Sequence, residues 1–167
     1  MRALYHHTDP AYLPSIMEVG LLARPWSGGE DDDPERRGML SAILHNRSVV
    51  WLTTQPTALF SKADIEFLRR QGRDDEAATG TWLMRNGGKV VRLEIDVPRH
   101  SKKLFHYRTW VKANEVLIIF GDGKGRCNDA REPLTTASHL SDCLPTMLTH
   151  WYIHFGDIPP RRISTVS

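Results

Sequence analysis

Apolar residues gather in short runs separated by Gly, Pro and Asn, a pattern typical of β-strands joined by turns. Five runs predict strands at residues 3–6, 48–53, 90–97, 116–120 and 151–155, and residues 82–84 form a shorter one. The strand from residue 90 follows the turn signal Asn-Gly-Gly and ends at Pro98. The pattern therefore predicts a protein built mainly on short strands.

Helical patterns are limited to two segments. The first follows the opening strand, where Pro14 is tolerated only in the first turn and Gly20 predicts the end of the helix. The second begins at Thr57 and runs into the charged stretch ADIEFLRRQG. The remaining polar or Gly-rich stretches predict loops at residues 27–38, at residues 72–80 and over most of residues 121–142.

The order of these elements predicts the fold class. A doubly wound parallel sheet needs helices that alternate regularly with strands, and this chain has too few helices for that. Many short strands with two or three helices and Gly- or Pro-rich connections predict an α+β fold with a bent or split sheet. Because 167 residues suit one domain with its own core, we expect a single domain over residues 1–167.

Composition limits the partners, metal sites and cellular compartment expected for the protein. Hydrophobic residues make up 40% of the chain and charged residues 25%, and a formal charge of +2 creates no global field toward nucleic acid or membrane. No run reaches the ~20 apolar residues of a membrane span, and the N-terminus has no signal-peptide core. Cys127 and Cys143 are too few for a disulfide framework or a zinc site. We expect reduced, partly buried thiols, a cytoplasmic protein, and neither a membrane partner nor a metal.

Positive charge is clustered locally in two places. Lys102 and Lys103 follow Arg99 and His100, and two adjacent arginines lie close to the end of the chain. Clusters of this size are usually solvated surface, and a substrate-binding role is the less favoured alternative.

The opening segment LYHHTDPAYLPSIMEVGLL contains the first candidate site. His6 and Thr8 are two residues apart on a predicted strand, so their side chains point to the same face. The helix that follows ends in Gly-Leu and places a cleft beside that face. His6 is therefore a candidate functional residue, and a histidine that is merely hydrogen-bonded in the core is the alternative.

This segment resembles the start of ADP-ribosyltransferase domains. In poly-ADP-ribose polymerases a His-Gly-Ser or His-Gly-Thr strand precedes a helix that ends in Gly-Leu. In the DNA-modifying toxin ADP-ribosyltransferases an aromatic-His-x-Thr strand leads into Asn-Leu-Pro-Ser-Ile and Gly-Leu, which Leu13–Ile16 matches closely. The resemblance implies a split or bent mixed sheet, NAD as a substrate, His6 as the functional histidine in binding and catalysis, and Thr8 as its partner.

The segment VVWLTTQPTALF resembles the second pocket strand of these enzymes. Trp51 then takes the place of the tyrosine that stacks on nicotinamide, and Thr53 falls at the Ser/Thr/Ala position of the NAD site. An indole can hold a flat aromatic amide by offset stacking, whereas a core tryptophan is the alternative. The stretch VVRLEIDVP is similar to the third strand of the same family.

The catalytic carboxylate has two candidate positions. Transfer from NAD breaks the bond to nicotinamide through an oxocarbenium-like state, which a nearby carboxylate stabilises. Glu115, in ANEVLIIF, resembles the glutamate of the polymerases, although it follows Glu94 more closely than is usual there. The closing segment WYIHFGDIPPRRI matches their last pocket strand and puts Trp151 at the glutamate position, with His150 beside it. We favour Glu115 and leave the second register open.

The resemblance favours transfer of ADP-ribose from NAD to a nucleic-acid or protein acceptor. The main alternative is a catalytically degenerate module of the same fold that binds a nucleotide or a partner protein. An NAD-dependent RNA 2′-phosphotransferase is less favoured, because Arg2, Arg24 and Arg92 form no recognisable phosphate-binding set. A metal hydrolase is disfavoured, because the histidine pairs lack carboxylates at ligand spacing.

Overall fold

The computed structural model describes residues 3–25, 44, 47–83, 89–115, 117–118 and 134–166. These residues form an α+β fold with one large antiparallel sheet, one two-stranded sheet and several short helices. The α+β class predicted from the sequence is confirmed. The expected mixed sheet is not found, because every strand pair of the described residues is antiparallel.

The strands are β1 (Leu4–Thr8), β2 (Arg24–Pro25), β3 (Ser48–Thr53), β4 (Val91–Ile95), β5 (Leu104–His106), β6 (Leu117–Ile118), β7 (Leu134–Thr135), β8 (Trp151–Phe155) and β9 (Ile163–Thr165). The helices are α1 (Leu13–Val19), α2 (Lys62–Arg70), α3 (Asp74–Thr79), α4 (Tyr107–Ala113), α5 (Thr136–Asp142) and α6 (Pro145–His150). Short 3₁₀ turns lie at Pro10–Tyr12 and Pro160–Arg162.

The large sheet has the strand order β5-β8-β3-β1-β4-β9, and β2 also pairs with β3. Strand β1 is paired with β4 at five positions but with β3 at one, between Tyr5 and Thr53. Beyond that pair, β1 and β3 share no further register. Strand β1 is therefore joined to β3 over a much shorter stretch than to β4, and we call this narrow junction the β1–β3 split.

Two strands and one helix lie where the sequence predicts them. Strands β3 and β8 match the predicted runs 48–53 and 151–155. Helix α1 has Pro14 in its first turn and ends at Gly20, whose φ of 94° lies in the region that glycine favours. A side chain at this position would also collide with the carbonyl oxygen of Ile158.

Other segments differ from the prediction. Helix α2 begins at Lys62 and not at Thr57, because Ser61 caps it. Residues 74–79 form α3 instead of a turn, since three acidic residues stabilise its N-terminus and Gly80 ends it in a left-handed conformation. A further helix, α5, lies within the stretch predicted as loop. Residues 82–83 are not a strand, and the loop predicted at 27–38 lies outside the described residues.

Two apolar clusters cover the two faces of the large sheet. The cluster against α4 comprises Leu44, Val49, Tyr107, Trp110, Val111, Cys143, Ile153 and Phe155. The cluster against α1 comprises Leu4, Ile16, Leu21, Val50, Leu52, Leu93, Ile95, Leu104, Ile158 and Ile163. Val49 and Val50 belong to different clusters because successive strand residues point to opposite faces. We call these the α4 face and the α1 face.

Cys143 is a free thiol, as expected, and is buried. Burial raises the pKa of this thiol to about 12, and Asp142 adds to the shift. Because the thiolate is the reactive form, Cys143 is an inert part of the core. Cys127 lies outside the described residues.

The carboxylate of Asp64 is fully buried where α2 meets α6. Its Oδ2 accepts hydrogen bonds from the main-chain N–H and the hydroxyl group of Ser61, at 2.9 and 2.7 Å. The main-chain N–H of Thr146 donates to Oδ1 at 2.9 Å, and the Thr146 hydroxyl group donates to Oδ2. One carboxylate therefore caps α2 and ties that helix to the first turn of α6.

We predict that Asp64→Ala lowers the free energy of unfolding by about 3 kcal/mol. The substitution removes a cap, typically about 1 kcal/mol, and leaves buried donors of Ser61 and Thr146 without an acceptor, at about 1–3 kcal/mol. Urea unfolding measures the change. Asp75→Ala, in the exposed first turn of α3, is the control and should cost less than about 1 kcal/mol. Equal losses in both variants would contradict the role of Asp64.

Candidate functional site

Three strands that carry candidate residues are neighbours in the sheet. Strand β3 lies between β1 and β8, and Thr53 pairs with Tyr5 on one side and Trp151 on the other. Thr53 is buried, and its hydroxyl group accepts the main-chain N–H of Gln55 at 3.1 Å. This bond forms the turn that the sequence predicts at Gln55. The first, second and last predicted pocket strands thus meet at one end of β3.

The ring of His6 bridges the split between β1 and β3. Its Nδ1 lies 2.9 Å from the main-chain oxygen of Trp51. Since a carbonyl oxygen only accepts, Nδ1 carries the proton and the neutral ring keeps Nε2 as an acceptor. Burial lowers the pKa of His6, opposed by the bond to Trp51 and assisted by the charge of His7. The ring of His6 is therefore neutral at pH 7, and it contacts the main chain of Trp51.

His7 makes a different set of contacts from its neighbour. Its Nε2 donates to the main-chain oxygen of Gln55 at 2.9 Å, and its ring meets Trp82 edge-on with centroids 5.2 Å apart. Burial lowers the pKa of His7, and the charge of Arg92 acts in the same direction. His7 thus holds Gln55, which follows β3, and Trp82 against the sheet.

An aromatic cluster, formed by Trp51, Trp82, Tyr107 and Trp151, occupies the α4 face near the end of β3. Trp151 contacts both other indoles edge-on, with centroids 5.5 Å from Trp51 and 5.2 Å from Trp82. Tyr107 lies 5.0 Å from Trp51 on the far side. Trp51 is thus a packed aromatic residue, and its stacking on nicotinamide stays a prediction.

Three buried polar atoms of this region have no hydrogen-bond partner among the described residues. They are Nε1 of Trp82, Nε1 of Trp151 and Oε1 of Gln55. Each buried polar atom left unpaired costs about 1–3 kcal/mol, and proteins rarely retain several together. Two indole N–H donors and one amide acceptor are thus left unsatisfied by the described residues.

The four residues predicted to bind NAD are divided between the two faces. Leu4 packs with Val50 and Leu52 on the α1 face, and alternation along β1 puts His6 and Thr8 on that same face. Trp51 and Thr53 point to the α4 face. The described contact between the two sets is the hydrogen bond from His6 to the Trp51 carbonyl group. The sheet therefore separates the side chains of His6 and Thr8 from those of Trp51 and Thr53.

Glu115 lies away from these strands. It is exposed, it follows the end of α4, and it has a φ of 22°, the one positive φ of a non-glycine residue in the described ranges. It precedes β6, which pairs with β7 in the separate two-stranded sheet. Glu115 therefore lies outside the large sheet, on the segment that leads from α4 into β6.

The alternative register puts other residues beside the pocket strands. Trp151 is the cross-strand partner of Thr53. The Nδ1 atom of the neighbouring His150 forms a hydrogen bond of 2.9 Å with the hydroxyl group of Thr54. Glu94 is paired with Tyr5 on β4 and is exposed. At the head of β8 the side chain that faces the cluster is thus an indole.

Sequence reasoning missed Trp82 and Gln55. Trp82 was predicted to lie in a short strand and Gln55 in a turn, and neither was assigned to the site. No local signal marks Trp82 as a site residue, because Leu83 and Met84 follow it in an ordinary apolar run. Its contacts with His7 and Trp151 join distant parts of the chain, which local patterns do not reveal.

Across the described ranges, no three His, Cys, Asp or Glu side chains are grouped so that they could hold a metal ion. No helix in this part of the chain is long and apolar enough to span a membrane. Comparison of the chain with protein families, curated proteins and solved structures found no match in any of the three.

We predict that stability falls as the pH drops from about 7.5 to about 5.5. Burial lowers the pKa of four histidines below the ordinary 6.5, namely His6, His7, His139 and His154. As the pH falls through 6.5, these histidines become protonated in the unfolded chain before they do so in the folded chain. The folded state is therefore fully stabilised above pH 6.5, and it loses this stability as the pH approaches the lower pKa values of the folded chain. The midpoint of thermal unfolding measures this loss.

The control is His154→Gln, which removes one such group while an amide can still donate to the main-chain oxygen of Gly156. Its midpoint should decline less steeply with pH than that of the unmodified chain. A midpoint that stays constant over this range would contradict the prediction.

Proposed function

We propose that this chain binds NAD at the β1–β3 split and transfers ADP-ribose to a nucleic-acid or protein acceptor. The observation that carries the proposal is the bond from the ring of His6 to the main chain of Trp51. It joins the histidine strand β1 to the aromatic strand β3 where the two share one register pair, and β8, the last predicted pocket strand, lies on the other side of β3. This arrangement supports the order of strands implied by the resemblance.

The aromatic cluster supports binding of the nicotinamide end. A carboxamide has an oxygen that could accept from the indole N–H of Trp82 or Trp151, and an amino group that could donate to Gln55 Oε1. These are the atoms that the protein leaves buried without partners. The aromatic ring would pack against indole faces. Neutral His6 would accept a hydrogen bond from a ribose hydroxyl group through Nε2.

The cleavage step requires stabilisation of positive charge on the ribose. We keep Glu115 as the proposed carboxylate, since its exposed side chain and positive φ are compatible with a functional position. The face of Trp151 offers a second means, because an indole attracts a cation by its quadrupole. Substitution of Glu115 distinguishes these two sources of stabilisation.

We predict that NAD raises the free energy of unfolding by about 2.7 kcal/mol at 100 times its dissociation constant. His6→Ala should abolish this protection, because it removes the acceptor at the split and its bond to Trp51. His100→Ala, at an exposed turn position, is the matched control and should keep the protection. Absence of protection in the unmodified chain would refute NAD binding.

We predict that Glu115→Gln binds NAD normally but releases nicotinamide about 10²–10³-fold more slowly, the scale for loss of one electrostatic stabiliser. Nicotinamide release and acceptor labelling are measured for both proteins side by side. Full activity in the variant would rule out Glu115 and move the role to Glu94, or to His150 and Trp151.

A second candidate is a binding module without catalysis. The observation that favours it is the pairing of Trp151 with Thr53 at the head of β8, where the resemblance implies a glutamate. Such a module would show the thermal protection by NAD and no nicotinamide release with nucleic-acid or protein acceptors. The two measurements above therefore separate the enzyme from the module.

A further inference from the structure

Tyr107, one member of the aromatic cluster, is held by a buried hydrogen bond. Its hydroxyl group, at the start of α4, lies 2.8 Å from Nε2 of His139 in α5, and the two residues are 32 positions apart in the chain. Tyr107 is 0% exposed and His139 is 5% exposed. The pair therefore joins two helices through the interior of the protein, and it makes none of the contacts proposed for NAD.

Burial keeps both members of this pair neutral. It raises the pKa of the Tyr107 hydroxyl group, and it lowers the pKa of His139. A buried phenol needs an acceptor for its proton, and a neutral imidazole ring has one nitrogen that accepts. Among the described residues, Nε2 of His139 is the acceptor that the hydroxyl group reaches. Tyr107 therefore donates to Nε2, and the proton of the His139 ring lies on Nδ1.

The ring of Tyr107 meets the indole of Trp51. Their centroids are 5.0 Å apart and their planes make an angle of 61°, an edge-on contact. On another side Trp51 meets Trp151, with centroids 5.5 Å apart. The energy of such contacts depends on the relative orientation of the rings. A hydrogen bond that fixes the ring of Tyr107 therefore also restricts the orientation of Trp51.

The two helices of the pair lie on either side of the segment that contains Glu115. Helix α4 precedes Glu115, and β6 follows it and pairs with β7. Helix α5 comes directly after β7, and the side chain of Thr135 caps it by accepting the main-chain N–H of Ser138 at 3.2 Å. The hydrogen bond between Tyr107 and His139 therefore joins the helix before this segment to the helix after it.

We propose that Tyr107 and His139 are positioning residues, which hold the indole of Trp51 in the orientation that binds nicotinamide. Neither residue is proposed to touch NAD, since both act through Trp51. The effect on NAD binding rests on the proposed function. The effect on the orientation of the indole does not, because the contacts from His139 to Tyr107 and from Tyr107 to Trp51 exist without a ligand.

The first test measures the indole N–H signal of Trp51 by NMR in the ¹⁵N-labelled full chain without NAD, with Trp51→Phe to assign the signal. Tyr107→Phe removes only the hydroxyl group and should shift this signal by more than its line width. His139→Leu should also shift it, because the acceptor is lost. His139→Gln should leave the signal near its original position, since the amide can still accept from the hydroxyl group.

The second test measures NAD affinity by titration of the same variants. Tyr107→Phe and His139→Leu should weaken NAD binding about three- to tenfold, the factor that corresponds to the loss of one neutral hydrogen bond. His139→Gln should bind as the unmodified chain does. The control is Ile95→Val, which removes one carbon from the buried cluster of the α1 face, across the sheet from the pair. It should change neither the Trp51 signal nor NAD affinity.

Each part of the proposal has its own contrary result, and thermal unfolding shows that every variant is folded. An unmoved Trp51 signal in Tyr107→Phe, an equal shift in Ile95→Val, or no recovery in His139→Gln would overturn the positioning of the indole. A shifted signal with unchanged NAD affinity would overturn the role in NAD binding. Failure of the unmodified chain to bind NAD would refute the proposed function, whereas the Trp51 signal would still decide the positioning.

Discussion

The buried carboxylate of Asp64 is the interaction on which the arrangement of the site depends. It caps α2 and accepts two hydrogen bonds from Thr146 in α6, joining segments that are 82 residues apart. Helix α6 ends at His150, where β8 begins, so this contact sets the position at which Trp151 meets Thr53. The place of Trp151 in the aromatic cluster therefore follows from a helix that is anchored at its first turn.

At the β1–β3 split, a side chain replaces the main-chain donor of a hydrogen bond. A continuous sheet would satisfy the main-chain carbonyl group of Trp51 with an N–H group of the neighbouring strand. Here the ring of His6 takes that place, and the ring must remain neutral to do so without a buried charge. At this point a side chain, and not main-chain pairing, joins β1 to β3.

Local patterns predicted part of this structure. Strands β3 and β8 and the end of α1 follow from apolar runs, Pro14 and Gly20. Helices α3 and α5 were missed, because their residues are polar and their stability comes from caps at Gly80 and Thr135. The division of His6 and Trp51 between two faces depends on the pairing of Tyr5 with Thr53, a register that no local pattern specifies. The position of Glu115 after α4 likewise depends on a helix that was not predicted.

The strand order of the large sheet also affects how copies of the chain meet. Its two edges are β5 and β9, each of three residues. Two lysines precede β5 directly, and a short strand flanked by lysine is a poor template for another chain, because few main-chain groups are offered and like charges repel. A central strand such as β3 would aggregate readily if it lay at an edge. Confining the apolar strands to the middle keeps intermolecular sheet growth unfavourable at high concentration.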